Sequence, residues 1–152
     1  MKRIQYSIKI DAPASKVFNT MLGLEKIETY NQWTSVFNAS STYEGEWSKG
    51  SKMYFIGFGE DGERRGMISE IAEYIPNRFV SIRHYGMVKG ETEITEGPEV
   101  EKWAGGLENY TLEEKEGVTT VIVDIDITEE YMDYFNENWP KSLEKLKEIS
   151  EN

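Results

Sequence analysis

The only histidine of the chain, His84, is the side chain best suited to acid–base chemistry, because an imidazole exchanges protons near neutral pH. It lies in a strand predicted over residues 79–85, beside Arg83. Alternation along a strand places His84 on the same face as Val80 and Ile82, and Arg83 on the opposite face. One of the two therefore faces any cavity that the sheet forms, and the pattern does not decide which. Acid–base catalysis and an ordinary strand position both remain open for His84.

Two aspartates, Asp124 and Asp126, stand two residues apart on a predicted strand and are the second candidates for chemistry. This spacing separates their carboxyl groups by roughly 7 Å, within the ~5–9.5 Å range used in glycoside hydrolysis. The opposite face of the strand carries an apolar row, namely Val121, Val123, Ile125 and Ile127. Because that row must face the core, we expect the two aspartates to face solvent rather than to act in catalysis.

A third group of carboxylates lies in residues 89–102, which contain five glutamates and the turn-forming pair Gly97 and Pro98. The segment lacks the Asp-x-Asp-x-Asp-Gly spacing of a calcium loop. We therefore expect a solvated loop rather than a metal site. The sequence leaves open whether this loop closes over a binding site as a lid.

Other catalytic and cofactor motifs are absent. There is no cysteine, which excludes disulfides, thiolate metal sites and cysteine nucleophiles. The run Gly57-Phe58-Gly59 lacks the Lys-[Ser/Thr] of a phosphate loop, and neither Gly-x-Ser-x-Gly nor His-Glu-x-x-His occurs. We assign no catalytic residue and expect no metal and no cofactor.

The net charge of −11 predicts a surface that repels nucleic acid and anionic membranes, since both need clustered Lys and Arg. No apolar run approaches the ~20 residues of a transmembrane helix. The first residues also lack the apolar core of a signal peptide. We expect no nucleic-acid partner, no membrane span and a cytoplasmic location.

Changes in hydrophobic period define the elements that must position these side chains. Strand patterns joined by turns occupy residues 3–10, 53–58, 66–75, 79–85, 107–113 and 118–128. Two short helices follow the first strand, the second over residues 24–30, and a long amphipathic helix is predicted over residues 129–150. Hairpin connections imply an antiparallel sheet. One long helix on its face makes the fold class α+β, with two layers.

Pro140 interrupts the pattern of the long helix, because an internal proline removes one hydrogen bond at a cost of about 3 kcal/mol. We expect it to bend the helix or to begin a new helical section as its first residue. The first half of the helix, with Met132, Phe135 and Trp139, would then form a cavity wall. The second half would pack into the core.

Several motifs occur in a recognisable order. They are Ile8-x-Ile10-x-Ala12-Pro13-x-x-x-Val17-Phe18, Gly45-x-Trp47-x-x-Gly50-Ser51, Gly66 with Pro76, and Trp139-Pro140-x-x-Leu143-x-x-Leu146. The first resembles the START/birch-pollen-allergen-like superfamily, also called SRPBCC. The others resemble its branch of activator-of-heat-shock-protein-90-ATPase homologues. The resemblance covers essentially the whole chain, as a single domain of residues 1–152.

The resemblance implies a helix-grip fold, in which a curved antiparallel sheet of six to seven strands surrounds the C-terminal helix and leaves an apolar cavity. Aromatic side chains with a few polar tips suit small hydrophobic or aromatic molecules. We therefore expect this chain to bind such a molecule. The candidate lining residues are Trp33, Trp47, Phe55, Arg83, His84, Tyr85, Tyr110, Met132, Phe135 and Trp139.

Two alternative functions stay open. The same cavity could house a cyclase-like or hydrolase-like enzyme, with Arg83, His84 or a cavity tyrosine as the acid–base group. The name of the branch also implies a stress-related, co-chaperone-like interaction protein with a chaperone partner. The sequence predicts a monomer or a homodimer without deciding between them.

Overall fold

The computed structural model describes residues 1–152 and follows the predicted order of strand, two short helices, further strands and a long C-terminal helix. The elements are β1 (Lys2–Ile10), α1 (Ala14–Leu22), α2 (Ile27–Thr34), β2 (Thr42–Glu44), β3 (Lys52–Phe58), β4 (Arg64–Ile75), β5 (Phe79–Lys89), β6 (Thr92–Ile94), α3 (Pro98–Glu101), β7 (Leu107–Lys115), β8 (Val118–Ile127), a 3-10 turn (Glu129–Tyr131) and α4 (Met132–Glu151). None of the helices has the length and apolarity needed to cross a membrane. The predicted class, α+β with a helix-grip arrangement, is confirmed.

All eight strands join one antiparallel sheet. Its order is β1-β8-β7-β5-β4-β3-β2, and β6 pairs with β5 outside this path. The first and last strands are neighbours, from Lys2 opposite Ile127 to Ile10 opposite Thr119. This pairing brings α4, which follows β8, against β1, α1 and α2. The sheet exceeds the predicted six to seven strands because β6 forms within the segment predicted to be a loop.

The outer face of β8 carries Asp124 and Asp126. Asp126 accepts a hydrogen bond from Arg3 at 2.9 Å, and Asp124 accepts one from Gln5 at 2.8 Å, both across the β1–β8 pair. The buried side chains of β8 are Thr119, Val121, Val123, Ile125 and Ile127. The aspartates therefore hold the edge strand β1 in register and do not form a carboxylate pair toward the core.

The C-terminal end of α1 is fixed by aromatic side chains from later elements. Gly23 ends the helix in the left-handed conformation (φ 67°), as is common after a last helical turn. Three aromatic donors then bond its last carbonyl groups: Trp33 to Met21 (2.8 Å), Tyr43 to Leu22 (2.7 Å) and Trp47 to Leu22 (3.0 Å). These bonds position α2 and the Gly45-x-Trp47 motif relative to the sheet.

The long helix α4 continues through Pro140, so the prediction of a new helical section at this residue is wrong. Pro140 is exposed, and so is Asn136, whose carbonyl loses its amide partner four residues away. Water can therefore solvate that carbonyl, which lowers the penalty of the proline. The buried apolar side chains of the helix are Trp139, Leu143 and Leu146.

Residues 89–102 form ordered structure on the outer face of the sheet, which corrects the expectation of a solvated loop. The chain turns at Gly90, β6 pairs back onto β5, and α3 packs on β5 with Val100 buried. Glu93 accepts hydrogen bonds from Tyr54 (2.6 Å) and Lys52 (3.0 Å). The same outer face carries three further buried side chains of β3 to β5, namely Ile56, Ile68 and Val88. The segment is thus a fixed cover opposite α4.

Candidate functional site

A pocket of about 230 Å³ lies between α2, α4 and β7, on the inner face of the sheet. We call it the aromatic pocket, because all seven of its hydrophobic lining residues are aromatic. The lining residues are Tyr30, Trp33, Thr34, Phe37, Ser41, Glu108, Tyr110, Tyr134, Phe135 and Trp139. One carboxylate, that of Glu108, is the only charged group among them.

Trp139 is the centre of the ring contacts that shape this pocket. Its ring centroid lies 5.8 Å from that of Trp33 and 5.1 Å from that of Phe37, in tilted and edge-to-face arrangements. The stacked ring of Tyr6 lies on it at 6.2 Å. At the opening, the Tyr134 hydroxyl donates to the Phe37 carbonyl at 3.1 Å and ties α4 to the segment after α2. Rings therefore fill much of the space under α4 and leave a small pocket.

A second space of about 310 Å³ adjoins the first and is more polar. We call it the polar pocket. Its lining residues are Tyr30, Asn38, Ser41, Phe55, Ile56, Gly57, Arg65, Gly66, Met67, Ile82, His84 and Glu108. Tyr30, Ser41 and Glu108 line both pockets, so the two spaces meet at these side chains.

Close approach of β3 and β4 forms one wall of the polar pocket and depends on Gly66. A Cβ atom at this position would lie 2.0 Å from the carbonyl oxygen of Phe55, far inside van der Waals contact. Only glycine fits there without separating the strands. This gives a physical reason for the glycine in the motif noted above.

A chain of side-chain hydrogen bonds crosses the junction of the two pockets. The Ser69 hydroxyl lies 2.6 Å from Nδ1 of His84, and Nε2 of His84 lies 3.0 Å from Oε1 of Glu108. The Tyr110 hydroxyl donates to Oε2 of the same carboxylate. A neutral His84 with its proton on Nε2 satisfies both of its contacts, since Nδ1 then accepts from Ser69.

The exposure of these groups limits the chemistry that they can perform. Ser69 is fully buried, so it orients the imidazole and is not accessible as a nucleophile. His84 and Glu108 keep 12% and 20% of their side chains exposed. These two are the groups that can exchange a proton with a bound molecule, as in general acid–base catalysis.

The tyrosines at the junction are held in the neutral form. Burial raises the pKa of the Tyr110 phenol well above its ordinary value, and the Glu108 charge raises it further. Burial and the same charge raise the pKa of Tyr30. The Tyr30 hydroxyl makes no hydrogen bond within the protein, although the residue is buried and lines both pockets. It is therefore a free polar group for a ligand.

The structure brings most of the predicted lining residues to this site. Trp33, Tyr110, Phe135 and Trp139 line the aromatic pocket, and Phe55 and His84 line the polar pocket. Trp47 and Met132 pack against the core beside the pockets without lining them.

Arg83 and Tyr85 do not reach the site, which corrects their assignment as lining residues. Arg83 lies on the outer face, 3.5 Å from Glu70, with its guanidinium 5.3 Å from the centre of the Tyr85 ring. Strand alternation places Arg83 opposite His84. The register shift between Ile68 and Ser69 leaves Tyr85 as the extra residue of β5.

Three residues of the site were not found from the sequence: Tyr30, Ser69 and Glu108. Glu108 did leave a signal, because it shares strand parity with Tyr110 and Leu112, both of which are buried. A carboxylate in the apolar row of a strand points to a buried charge with a function. No group of three His, Asp or Glu side chains is arranged to hold a metal ion.

Comparisons with known proteins give a family and several structural neighbours. The family described as "Activator of Hsp90 ATPase homolog 1-like protein" matches residues 11–151. The Aha1 dimer from Colwellia psychrerythraea is 23% identical, with a TM-score of 0.67, and the match covers 99% of this chain and 97% of that one. A protein from Cytophaga hutchinsonii is 18% identical, with a TM-score of 0.70 and coverage of 98% and 93%. At these identities the neighbours show the fold. Among curated proteins, no match was found.

Proposed function

The chain belongs to the family of Activator of Hsp90 ATPase homolog 1-like proteins, and on this premise we propose that the aromatic pocket binds one small aromatic or apolar molecule. The observation that carries the proposal is the lining itself. Seven rings surround a space that no side chain fills, and polar atoms reach it at one end only. Such a distribution is typical of sites for small organic ligands.

The volume of the pocket restricts the ligand. A cavity of roughly 150 Å³ holds benzene, so a space of about 230 Å³ fits a molecule of one or two rings. Pockets for drug-sized ligands occupy about 300–1,000 Å³. A long-chain lipid therefore exceeds the aromatic pocket, and the broad class expected from the sequence narrows to compact molecules.

A blocking substitution tests the proposal. Ser41 lines both pockets, so Ser41→Phe should place a ring in the junction and abolish the binding of one-ring and two-ring compounds. Ser7→Phe, on the exposed face of β1, is the matched control and should bind as the unaltered protein does. Ligand-detected NMR with a panel of such compounds and of fatty acids measures the effect. Equal binding by both variants, or binding of fatty acids alone, would reject the proposal.

A second candidate function, acid–base catalysis on the bound molecule, is favoured by the chain Ser69–His84–Glu108–Tyr110. His84→Gln keeps the size of the side chain and removes its ability to transfer a proton. We expect this variant to stay folded and bind ligand while losing any turnover of it. Turnover at the original rate in His84→Gln would remove this candidate.

Chaperone binding and homodimer formation are proposed on weaker grounds. The family description names an ATPase activator, and the neighbour from Colwellia psychrerythraea is described as a dimer. Light scattering of the purified protein measures its oligomeric state. Addition of the protein to a chaperone ATPase assay tests the other proposal, and an unchanged ATPase rate would reject it.

A further inference from the structure

The charges around the aromatic pocket are unequal in a way that a neutral apolar ligand does not require. The lining contains one carboxylate, Glu108, and no lysine, arginine or histidine. Placing a carboxylate against rings has a desolvation cost unless an opposite charge or hydrogen bonds compensate it. The compensation that the protein supplies therefore indicates what the ligand adds.

Glu108 receives hydrogen bonds but no fixed positive charge. Its donors are the Tyr110 hydroxyl and Nε2 of His84, which is neutral in the tautomer that satisfies Ser69. The nearest cationic side chain of the two linings is Arg65, in the polar pocket. Its guanidinium is already bonded to Asp61 at 2.8 Å. The junction of the pockets thus keeps one net negative charge.

The surrounding rings favour a cation as well. A cation within about 6 Å of the face of a Trp, Tyr or Phe ring is attracted by the ring quadrupole, most strongly by Trp. Trp33 and Trp139 lie side by side, 5.8 Å apart, and Tyr30 adds a ring with a free hydroxyl next to Glu108. Rings and one carboxylate together form a cage suited to a substituted ammonium group.

We propose that the occupant of the aromatic pocket is an organic cation of the alkylammonium class, with its charged nitrogen between Glu108 and the rings of Tyr30, Trp33 and Trp139. This inference rests on the proposed function, because it assigns the charge of the ligand that the pocket binds. The rings provide the shape and the apolar contact, and Glu108 provides the selection for positive charge. A free amine and the ammonium of a lipid headgroup share this chemistry.

The test compares two molecules of nearly the same shape, choline and 3,3-dimethylbutan-1-ol, in which carbon replaces the charged nitrogen. Isothermal titration calorimetry on the unaltered protein should show choline binding about tenfold more tightly or better. Glu108→Gln should remove this difference, whereas Glu113→Gln, at an exposed position of the same strand, should retain it. Pelleting with phosphatidylcholine vesicles separates the two sources, since only a headgroup site retains the protein.

The outcomes distinguish this inference from the proposed function. Equal binding of the two molecules overturns the cation and leaves the pocket as a neutral ligand site. Absence of choline binding also overturns the cation, while the panel of neutral one-ring and two-ring compounds decides separately whether the pocket binds ligands. The comparison on the unaltered protein remains decisive even if Glu108→Gln fails to fold.

Discussion

Replacement of Trp139 by alanine removes the ring around which the aromatic pocket and the adjoining core are built. The indole is 4% exposed and contacts the rings of Tyr6, Trp33, Phe37 and Tyr110. It stands at the point where the first half of α4 borders the pocket and the second half packs into the core. Its removal therefore affects both stability and pocket size.

The structure sets the expected magnitude for Trp139→Ala. Substitution of a buried Trp or Phe by Ala destabilises a protein by about 3–5 kcal/mol. Part of the Trp139 surface faces the pocket rather than other side chains, so fewer contacts are lost and the low end, about 3 kcal/mol, is expected. For a domain of this size each kcal/mol lowers Tm by about 2–4 °C. Tm should therefore fall by roughly 6–12 °C.

Thermal unfolding followed by circular dichroism, with urea titration for the free energy of unfolding, measures this loss. Tyr131→Ala is the matched control, because Tyr131 is 53% exposed just before α4 and its loss should stay within about 0.5 kcal/mol. Losses of the same size in the two variants would refute the view that Trp139 organises the core. A loss well above 5 kcal/mol would mean that the pocket does not relieve the packing around the indole.

Three further predictions concern a close backbone contact and two titrating groups. Gly66→Ala puts a Cβ atom 2.0 Å from an opposing carbonyl oxygen and should abolish cooperative thermal unfolding; Gly59→Ala, whose Cβ meets only a movable side-chain end at 2.9 Å, should unfold normally. Burial raises the folded-state pKa of Tyr110, so its contribution to stability is present below about pH 10 and falls as pH rises further. Absorbance titration should show this phenol ionising only on unfolding. The hydrogen bond from Arg3 lowers the pKa of Asp126, so its contribution is present above about pH 3.9 and falls on acidification. Urea titrations should show a smaller acid-induced loss in Asp126→Asn.

Each of these predictions has a clear contrary result. Normal unfolding of Gly66→Ala would show that β3 and β4 can separate at little cost. Phenolate absorbance from every tyrosine in the folded protein near pH 10 would contradict the burial of Tyr110. An unchanged acid profile for Asp126→Asn would show that the bond with Arg3 contributes nothing to stability.

Local hydrophobic period predicted the elements in which one face meets the core along its whole length. The alternation from Val121 to Ile127 and the helical stripe of Trp139, Leu143 and Leu146 both correspond to buried residues. In such elements the sequence neighbours of a residue determine its face. The bounds and type of β8 and α4 could therefore be predicted from the sequence.

Elements whose burial depends on distant partners were predicted less well. The second short helix was expected over residues 24–30 but spans Ile27–Thr34, because Trp33 turns inward to bond Met21 and packs on Trp139. Residues 89–102 read as a solvated loop because only Val100 among them is fully buried, on strands far away in sequence. Polar composition alone does not reveal such a docking surface.

The site itself depends on register, which single-residue patterns do not contain. Alternation reduced the choice to His84 or Arg83, and only the pairing of Ser69 with His84 across β4 and β5 settled it. The bulge that follows removed Tyr85 from the face that simple counting suggests. Glu108 was detectable in principle, since it interrupts the apolar row that Tyr110 and Leu112 continue.

The aromatic donors at the end of α1 also determine how the protein opens to solvent. Trp33, Tyr43 and Trp47 reach back across as many as 25 residues to bond Met21 and Leu22. Separation of α2 or β2 from α1 leaves buried donors and acceptors without partners, at about 1–3 kcal/mol each. The edge strand β2 should therefore not fray alone. In amide hydrogen–deuterium exchange, α1, α2 and β2 should share one opening free energy and behave as a single cooperative unit.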